Sequence, residues 1–159
     1  MQATTNFARQ VSRALDDEHR ATLELVARVE QVFRRAGATD PVLATTFGRQ
    51  LAYELARHFE FEESEIFARL EETGAGDLAA LLTEEHATIR RAADELLPLA
   101  SAAATLDAAG WADFRRCALE MVERLRAHID KETAALLPAI DDALDENTDR
   151  ELAFAYAAI

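Results

Sequence analysis

The stretch "RHFEFEESEIF", residues 57–67, decides the fold because an apolar helical stripe there carries two polar side chains. Leu55 and Ile66 are spaced to share one face of a helix. His58 and Glu62 fall on the same face, four residues apart. An imidazole and a carboxylate are costly in a buried stripe unless a partner neutralises them. The stretch therefore predicts a long helix whose inner face holds a polar site.

The composition extends this prediction to the whole chain. Of the 159 residues, 50% are hydrophobic, five are Gly and three are Pro, and Ala, Leu, Glu and Arg are abundant. This composition favours helix over strand and is enough for one domain with a sizeable core. The formal net charge of −13 disfavours nucleic acid and anionic membranes as partners, because both need basic patches.

The sequence also predicts a cytoplasmic protein without a membrane span. No apolar run approaches the length of a transmembrane helix, and the start "MQATTNFARQ" lacks the pattern of a signal peptide. Cys117 is the only cysteine, which excludes an internal disulfide and any cysteine-based zinc or iron–sulfur site within one chain. Phe114 and Met121 share its face, so Cys117 is expected to be a buried core thiol.

Turn and capping signals predict four long helices. The first runs over about residues 5–36, before Gly37. The second begins at "DPV", where Asp40 is the N-cap and Pro41 the first helical residue, and it ends near "EETGAGD". The third continues from Asp77 to about residue 103, and the fourth covers about residues 106–144.

Two prolines and the C-terminal segment give further predictions about the helices. Pro98 is expected to bend the last turns of the third helix, and Pro138 is expected to kink the far end of the fourth. Thr148 and Glu151 form a candidate capping box for a short fifth helix. Because the connections are short, adjacent helices should be antiparallel. We therefore predict an all-α, up-down-up-down four-helix bundle, with a short C-terminal helix, as a single domain over residues 1–159.

Each of the four histidines lies on the inward stripe of a different predicted helix. At a rise of about 1.5 Å per residue, His19 is about 24 Å from the end of its helix. His58 is about 26 Å from the start of the next one, and His86 and His128 fall within roughly two turns of that level. Four antiparallel helices would therefore bring four imidazoles into one layer.

An internal repeat supports this arrangement. The segment "LDDEH" at residues 15–19 resembles "LTEEH" at residues 82–86. The segment "HFEFEESEIFARL" at residues 58–70 aligns with "HIDKETAALLPAI" at residues 128–140. The chain is therefore expected to contain two αα-hairpins related by a pseudo-twofold axis.

The pairs His58 with Glu62 and His128 with Glu132 could each direct two ligands at one centre. Imidazole with carboxylate suits iron, manganese or zinc, and a carboxylate between two metals can bridge them. One such pair alone is also typical of an ordinary helix, but four histidines at one level with two glutamates in register favour a metal site. Nearby acidic residues are expected to face solvent or to support the ligands; they are Glu18, Glu63, Glu65, Glu84, Glu85 and Asp130.

The pattern His…His-x-x-x-Glu…His…His-x-x-x-Glu resembles the hemerythrin-like HHE cation-binding domains, over essentially the whole chain. The resemblance implies a non-haem di-iron centre, with two iron ions and a bridging oxo or hydroxo group, inside the bundle. It also implies that Glu62 and Glu132 bridge the ions. The metal ligands that it implies are His19, His58, Glu62, His86, His128 and Glu132.

Two related classes of site match less well. Ferritin-like sites use Glu-x-x-His, but the residues three before His58, His86 and His128 are not glutamate. The oxygen carriers of the hemerythrin family have a further histidine four residues after the one on the third helix, where this chain has Arg90. They also have an aspartate on the fourth helix, where this chain has Thr133. With four imidazoles, about two positions on two octahedral ions would stay open.

Three functions are compatible with the sequence. The first is a di-iron protein that binds, senses or reacts with a small gaseous or peroxide ligand such as O₂, peroxide or NO. The second is an iron-binding module for iron homeostasis, and the third is a structural bundle with a vestigial metal site. The sequence does not decide whether the protein is an enzyme, and a homodimer is one oligomeric state that it allows.

Overall fold

The computed structural model describes residues 6–159, and these form five helices, one short 3₁₀ turn at Ala103–Thr105 and no strand. The prediction of an all-α fold is confirmed. The helices are α1 (Gln10–Phe33), α2 (residues 41–72), α3 (Gly76–Ser101), α4 (residues 108–143) and α5 (Glu146–Ala157).

The first four helices form the predicted bundle. Helix α1 packs against α2 and α4, and α3 packs against the same two neighbours, so the four helices enclose one interior. Helix α5 packs against α1. None of the helices over residues 6–159 combines the length and the apolar character needed to cross a bilayer.

Side-chain caps fix two of the helix starts. The carboxylate of Asp40 accepts a hydrogen bond from the Leu43 N–H at 2.9 Å, and Pro41 is the first residue of α2, as predicted. The carboxylate of Asp107 accepts from the Gly110 N–H at 2.8 Å and begins α4. These caps satisfy N–H groups in the first turns of α2 and α4.

The start of α1 differs from the prediction. Residue 5 lies outside the described residues, and α1 begins at Gln10 rather than in the preceding residues 6–9. Its first N–H groups are satisfied by residues more than 130 positions away: Asp141 accepts from Ala8 and Arg9, and Asp149 accepts from Gln10 and Val11. The cap comes from α4 and α5, so local sequence did not show it.

The predicted capping box at the start of α5 is wrong. Asp145 is the N-cap, and its carboxylate accepts from the Thr148 N–H at 2.8 Å. Because Asp145 lies three residues before Thr148, it supplies the cap one turn earlier, and Thr148 becomes a residue inside the first turn.

Three π-helical segments interrupt α2 and α4 close to the predicted ligands. They are Glu54–His58 and Glu62–Ile66 in α2 and Glu132–Leu136 in α4. Pro138 follows the last of these, but the segment at the equivalent place in α2 is followed by Ala68. Proline is therefore not required for the π-helical turn, which is a feature often found at functional sites. Helix α3 continues past Pro98 to Ser101.

The interior is divided into two apolar clusters with a polar layer between them. Along α1, Leu15 belongs to one cluster and Val26 to the other, and His19 lies between them. Cys117 lies in the same cluster as Val26 and is 5% exposed, so the prediction of a buried thiol is confirmed. The polar layer is the candidate metal centre.

Candidate metal centre

The structure brings all six predicted ligand residues together inside the bundle. Each of the four long helices contributes one histidine, and α2 and α4 also contribute one glutamate each. Their exposed fractions are between 0% and 2%, so the cluster is removed from solvent. Its members are His19, His58, Glu62, His86, His128 and Glu132.

The first histidine pair consists of His19 and His58, whose ring centroids are 5.1 Å apart. Nε2 of His19 lies 2.9 Å from Oε2 of Glu132, and Nε2 of His58 lies 2.9 Å from Oε1 of Glu62. One ligand atom from each of these four residues falls within a sphere small enough to surround a single cation.

The second histidine pair consists of His86 and His128, whose Nε2 atoms are 3.0 Å apart. Nε2 of His86 lies 3.4 Å from Oε2 of Glu62 and 3.4 Å from Oε1 of Glu132. Nε2 of His128 lies 2.8 Å from Oε1 of Glu132. These four residues form a second group compatible with a cation, and both glutamates belong to both groups.

Each glutamate thus divides its two oxygens between the two histidine pairs. Oε1 of Glu62 is next to His58, whereas its Oε2 is next to His86. Oε2 of Glu132 is next to His19, whereas its Oε1 is next to His128. The two carboxylates therefore lie between the pairs, as the pseudo-twofold repeat predicts.

The polar atoms of this cluster fit a bound cation better than a hydrogen-bonded core. Among the described residues, no well-directed hydrogen bond reaches either oxygen of Glu62 or of Glu132, or Nε2 of His19. These atoms are close together but do not point donors at acceptors. Buried carboxylate oxygens without donors are unfavourable, and a cation that accepts their lone pairs removes that penalty. The donor set of imidazole nitrogen and carboxylate oxygen is compatible with iron, manganese and zinc.

In the first pair, the Nδ1 atom of each histidine contacts a side chain outside the cluster, and this contact orients the ring. Nδ1 of His58 lies 2.9 Å from Oε2 of Glu18. Because a carboxylate only accepts, the proton is on Nδ1 and Nε2 faces the centre. Nδ1 of His19 has a weaker partner, the hydroxyl of Thr133 at 3.3 Å.

The second pair has two carboxylate partners. Nδ1 of His86 lies 2.8 Å from Oε1 of Glu63, and Nδ1 of His128 lies 2.8 Å from Oε2 of Glu85. Partners of this kind fix the ring orientation of metal-binding histidines and raise their basicity. Glu18, Glu63 and Glu85 thus contact the imidazoles, in the supporting position that the sequence analysis offered as one alternative.

The other three acidic residues lie away from the imidazoles. Glu65 pairs with Arg69 at 3.3 Å, and Glu84 and Asp130 are exposed. They correspond to the solvent-facing alternative in the sequence prediction.

Each of the supporting glutamates forms an ion pair with an arginine or lysine side chain. Arg57 pairs with Glu18, and Lys131 pairs with Glu85. Arg90 pairs with Glu63 at 2.6 Å and lies 5.7 Å from the ring centroid of Phe59. Arg90, where the oxygen carriers have a further histidine, thus contacts the outer carboxylate and not the central ones.

The carboxylates shift the pKa values of the imidazoles upward. Burial alone would lower the pKa of His86, but Glu132 and Glu62 outweigh it and raise the pKa to about 9. The pKa values of His58 and His128 are raised against the same opposing effect of burial. The pKa of Glu132 is well below its usual range because the neighbouring histidines outweigh the effect of burial. These shifts have one physical cause, the close approach of imidazoles and carboxylates at the centre of the bundle.

Two residues that sequence reasoning missed also belong to the surroundings of the site. Glu54 is 4% exposed and accepts a hydrogen bond from the hydroxyl of Thr22. It lies four residues before His58, so helical spacing could have revealed it. The hydroxyl of Tyr156 donates to Glu18 and lies 3.2 Å from Nδ1 of His58. No sequence signal places the end of α5 against the bundle interior.

A surface groove between α3 and α4 leads toward the second pair. It has a volume of about 610 Å³, and its lining includes Ile89, Ala127, Glu85 and an edge of His128. The groove brings solvent close to the second pair.

Comparison with known proteins agrees with this geometry. A search of curated proteins gives no match. The family model of the hemerythrin HHE cation binding domain matches residues 10–140. This match runs from the start of α1 into the last turns of α4, includes all six residues of the cluster, and leaves α5 outside. The chain therefore belongs to the hemerythrin HHE cation-binding domain family.

Proposed function

We propose that the cluster holds two iron ions and that the protein senses, or reacts with, a small molecule such as O₂, peroxide or NO. The observation that supports this proposal most strongly is the division of the glutamate oxygens. Each of Glu62 and Glu132 offers one oxygen to each histidine pair. A carboxylate so placed can serve two cations at once, whereas a single cation would leave half of these oxygens without a partner.

The residues of this chain would divide the two ions between the histidine pairs. His19 and His58 would hold one ion, His86 and His128 the other, and the two glutamates would bridge them. Two iron ions held in this way supply oxidation–reduction chemistry with small molecules. The protein's own contribution is to orient the imidazoles through Glu18, Glu63 and Glu85 and to exclude bulk water.

The ligand count supports reaction or sensing over reversible oxygen carriage. The cluster offers four imidazoles for two ions, and Arg90, where the carriers have a fifth, is paired with Glu63. Four imidazoles and two shared carboxylates would supply fewer protein ligands than two cations can accept. Each ion would have room for a small molecule.

The surroundings favour small, neutral or weakly charged molecules. The cluster is buried between two apolar groups of side chains, and a groove beside Ile89 and Ala127 reaches an edge of His128. Glu62 and Glu132 are fully buried and α3 packs closely against α4, which favours a small molecule over a large substrate.

An iron-handling role is a second candidate, because all four long helices supply candidate ligands to one buried cluster. Metal occupancy would then be coupled to the order of the bundle, as expected of a module that stores or reports iron.

The experiment that separates these candidates mixes anaerobically prepared di-ferrous protein with O₂ and follows the visible spectrum. Oxidation that is not reversed under vacuum, with both irons retained after passage over a chelating resin, is expected for a reactive or sensing centre. Loss of iron to the resin would instead favour iron handling. A long-lived oxygenated form that returns to the di-ferrous state under vacuum would contradict the proposal, because it would show a carrier.

A further inference from the structure

Helix α5, which lies outside the family match, ends against the first histidine pair through Tyr156. The side chain of Tyr156 is 2% exposed. The ring centroid of Tyr156 is 4.6 Å from that of Phe61. The guanidinium of Arg57 lies 4.0 Å from the same Tyr156 centroid. The ring is thus held by α2, independently of its hydroxyl.

The hydroxyl and the backbone of Tyr156 join a closed network on Glu18. The hydroxyl donates to Oε2 of Glu18, the atom that also accepts from Nδ1 of His58. Nη2 of Arg57 donates to the backbone carbonyl of Tyr156 at 2.8 Å, and Nη1 of the same residue donates to Oε1 of Glu18. Glu18 therefore has three donors, and two of them depend on where α5 lies.

The second histidine pair has no such link to α5. Its supporting carboxylates, Glu63 and Glu85, are held by Arg90 and Lys131, which belong to α3 and α4. Every member of that network lies within the four-helix bundle. Among the described residues, therefore, only the first half of the centre has a support that is tied to the fifth helix.

We propose that Tyr156 is a positioning residue for the first histidine pair, and that α5 sets the metal affinity at that pair without changing it at the second. The hydroxyl fixes the rotamer of Glu18, and Glu18 fixes the ring of His58. This inference rests on the proposed function, because it assigns one cation to each pair. An ion at the first pair is then the one that responds when α5 moves.

The variant Tyr156→Phe tests this directly, because it keeps the ring contacts with Phe61 and Arg57 and removes only the hydroxyl. Loss of a partner behind a metal-binding histidine typically weakens metal binding by about 10- to 100-fold. The probe is Zn²⁺, titrated in competition with a chelator of known affinity. Tyr53→Phe is the matched control, since Tyr53 is 49% exposed and its hydroxyl has no part in the Glu18 network.

The change is measured in two backgrounds that each disable one pair. In His128→Ala, the remaining ion is at the first pair, and adding Tyr156→Phe is expected to lower the affinity for that ion by about tenfold or more. In His19→Ala, the remaining ion is at the second pair, and the same change is expected to leave its affinity within about twofold. Equal weakening in both backgrounds, or none in either, would overturn the inference.

A spectroscopic measurement separates positioning from simple destabilisation. In zinc-loaded protein with ¹⁵N-labelled histidine, Tyr156→Phe should shift the Nδ1 resonance of His58 and leave those of His86 and His128 in place. Glu18→Gln, which keeps the shape of the side chain, should also lower the affinity for Zn²⁺ at the first pair. An unshifted His58 resonance would contradict the inference. If the parent chain binds fewer than two Zn²⁺ ions, the assignment of one cation to each pair is wrong and this inference fails, whereas the proposed two-iron centre is tested separately by iron content.

Discussion

The hydroxyl of Thr133 lies 3.3 Å from Nδ1 of His19 and is the side-chain partner of that ring nitrogen. The counterpart of Thr133 in the first hairpin is Glu63, which lies 2.8 Å from Nδ1 of His86. The pseudo-twofold axis thus relates the ligands more closely than it relates their supports. Among the described residues, His19 is the one imidazole of the four whose Nδ1 has a hydroxyl rather than a carboxylate as its partner.

This difference predicts unequal effects of removing the two supports. Hydrogen bonds to charged groups are roughly twice as strong as those between neutral groups, so the support from Glu63 should contribute more. We expect Glu63→Gln to weaken metal binding at the second pair by about tenfold or more, and Thr133→Val to weaken it at the first pair by only about threefold. Chelator competition with Zn²⁺ measures both, and a larger effect of Thr133→Val would contradict the assignment.

The central glutamates are expected to matter more than any single histidine. Glu62 has one oxygen near His58 and the other near His86, so its loss removes a ligand from both cations. We expect Glu62→Ala and Glu132→Ala each to leave at most one tightly held ion per chain, whereas His19→Ala removes a ligand from one cation only. Elemental analysis after removal of loosely bound metal measures the ratio.

The control for these variants is a measurement of their helical content. Circular dichroism of each metal-free variant should show the helical content of the parent, so that a loss of metal is not a loss of the bundle. If Glu62→Ala retains two ions and the parent spectrum, the bridging role is wrong.

The metal-free protein should lose stability at alkaline pH. The pKa of His86 is raised from 6.5 to about 9, so its charged form stabilises the folded state fully below pH 6.5. That contribution, on the order of 3 kcal/mol, is lost as the pH rises from 6.5 to about 9. His58 and His128 are shifted in the same direction. Urea denaturation at several pH values measures the free energy of unfolding.

The metal-loaded protein provides the comparison. A bound cation would replace the imidazole protons at the cluster, so the alkaline decline should be much smaller when metal is present. Metal binding near pH 7 should also release protons, which calorimetry in buffers of different ionisation enthalpy detects. An alkaline decline of equal size in both forms would show that it does not originate in the cluster.

Asp149 is expected to be a large single contributor to the attachment of α5. Its carboxylate is 4% exposed and accepts from the N–H groups of Gln10 and Val11 at 2.9 and 3.0 Å. Asp149→Ala would leave two N–H groups at the start of α1 without their partner, at a cost of about 2 kcal/mol in the free energy of unfolding. Asp142→Ala, at an exposed position on α4, should cost close to nothing and serves as the control.

Helical periodicity and the repeat were sufficient to predict the bundle and to choose the residues of the cluster. His58 and Glu62 are four residues apart on one helix, and that spacing survives the π-helical turns on either side of it. The level of the four histidines follows from helix length and short connections. These are local properties of the chain, which is why one sequence was enough.

The supporting contacts depend on packing between distant segments and could not be predicted in detail. Glu18 precedes His19 but contacts His58, and Glu85 precedes His86 but contacts His128. The cap of α1 by Asp149 joins residues 138 or more positions apart. Spacing places a side chain on a face, but only the rotation and height of neighbouring helices determine which partner it meets.

The measurement that tests the central claim most directly is the iron content of the purified chain after anaerobic reconstitution with Fe(II) and removal of loosely bound metal. Two irons per chain are expected, because Glu62 and Glu132 each present one oxygen to each histidine pair. The double variant Glu62→Ala with Glu132→Ala should fall well below two. A reproducible value of zero or one for the parent chain, with its helical content intact, would contradict the account of a two-ion centre.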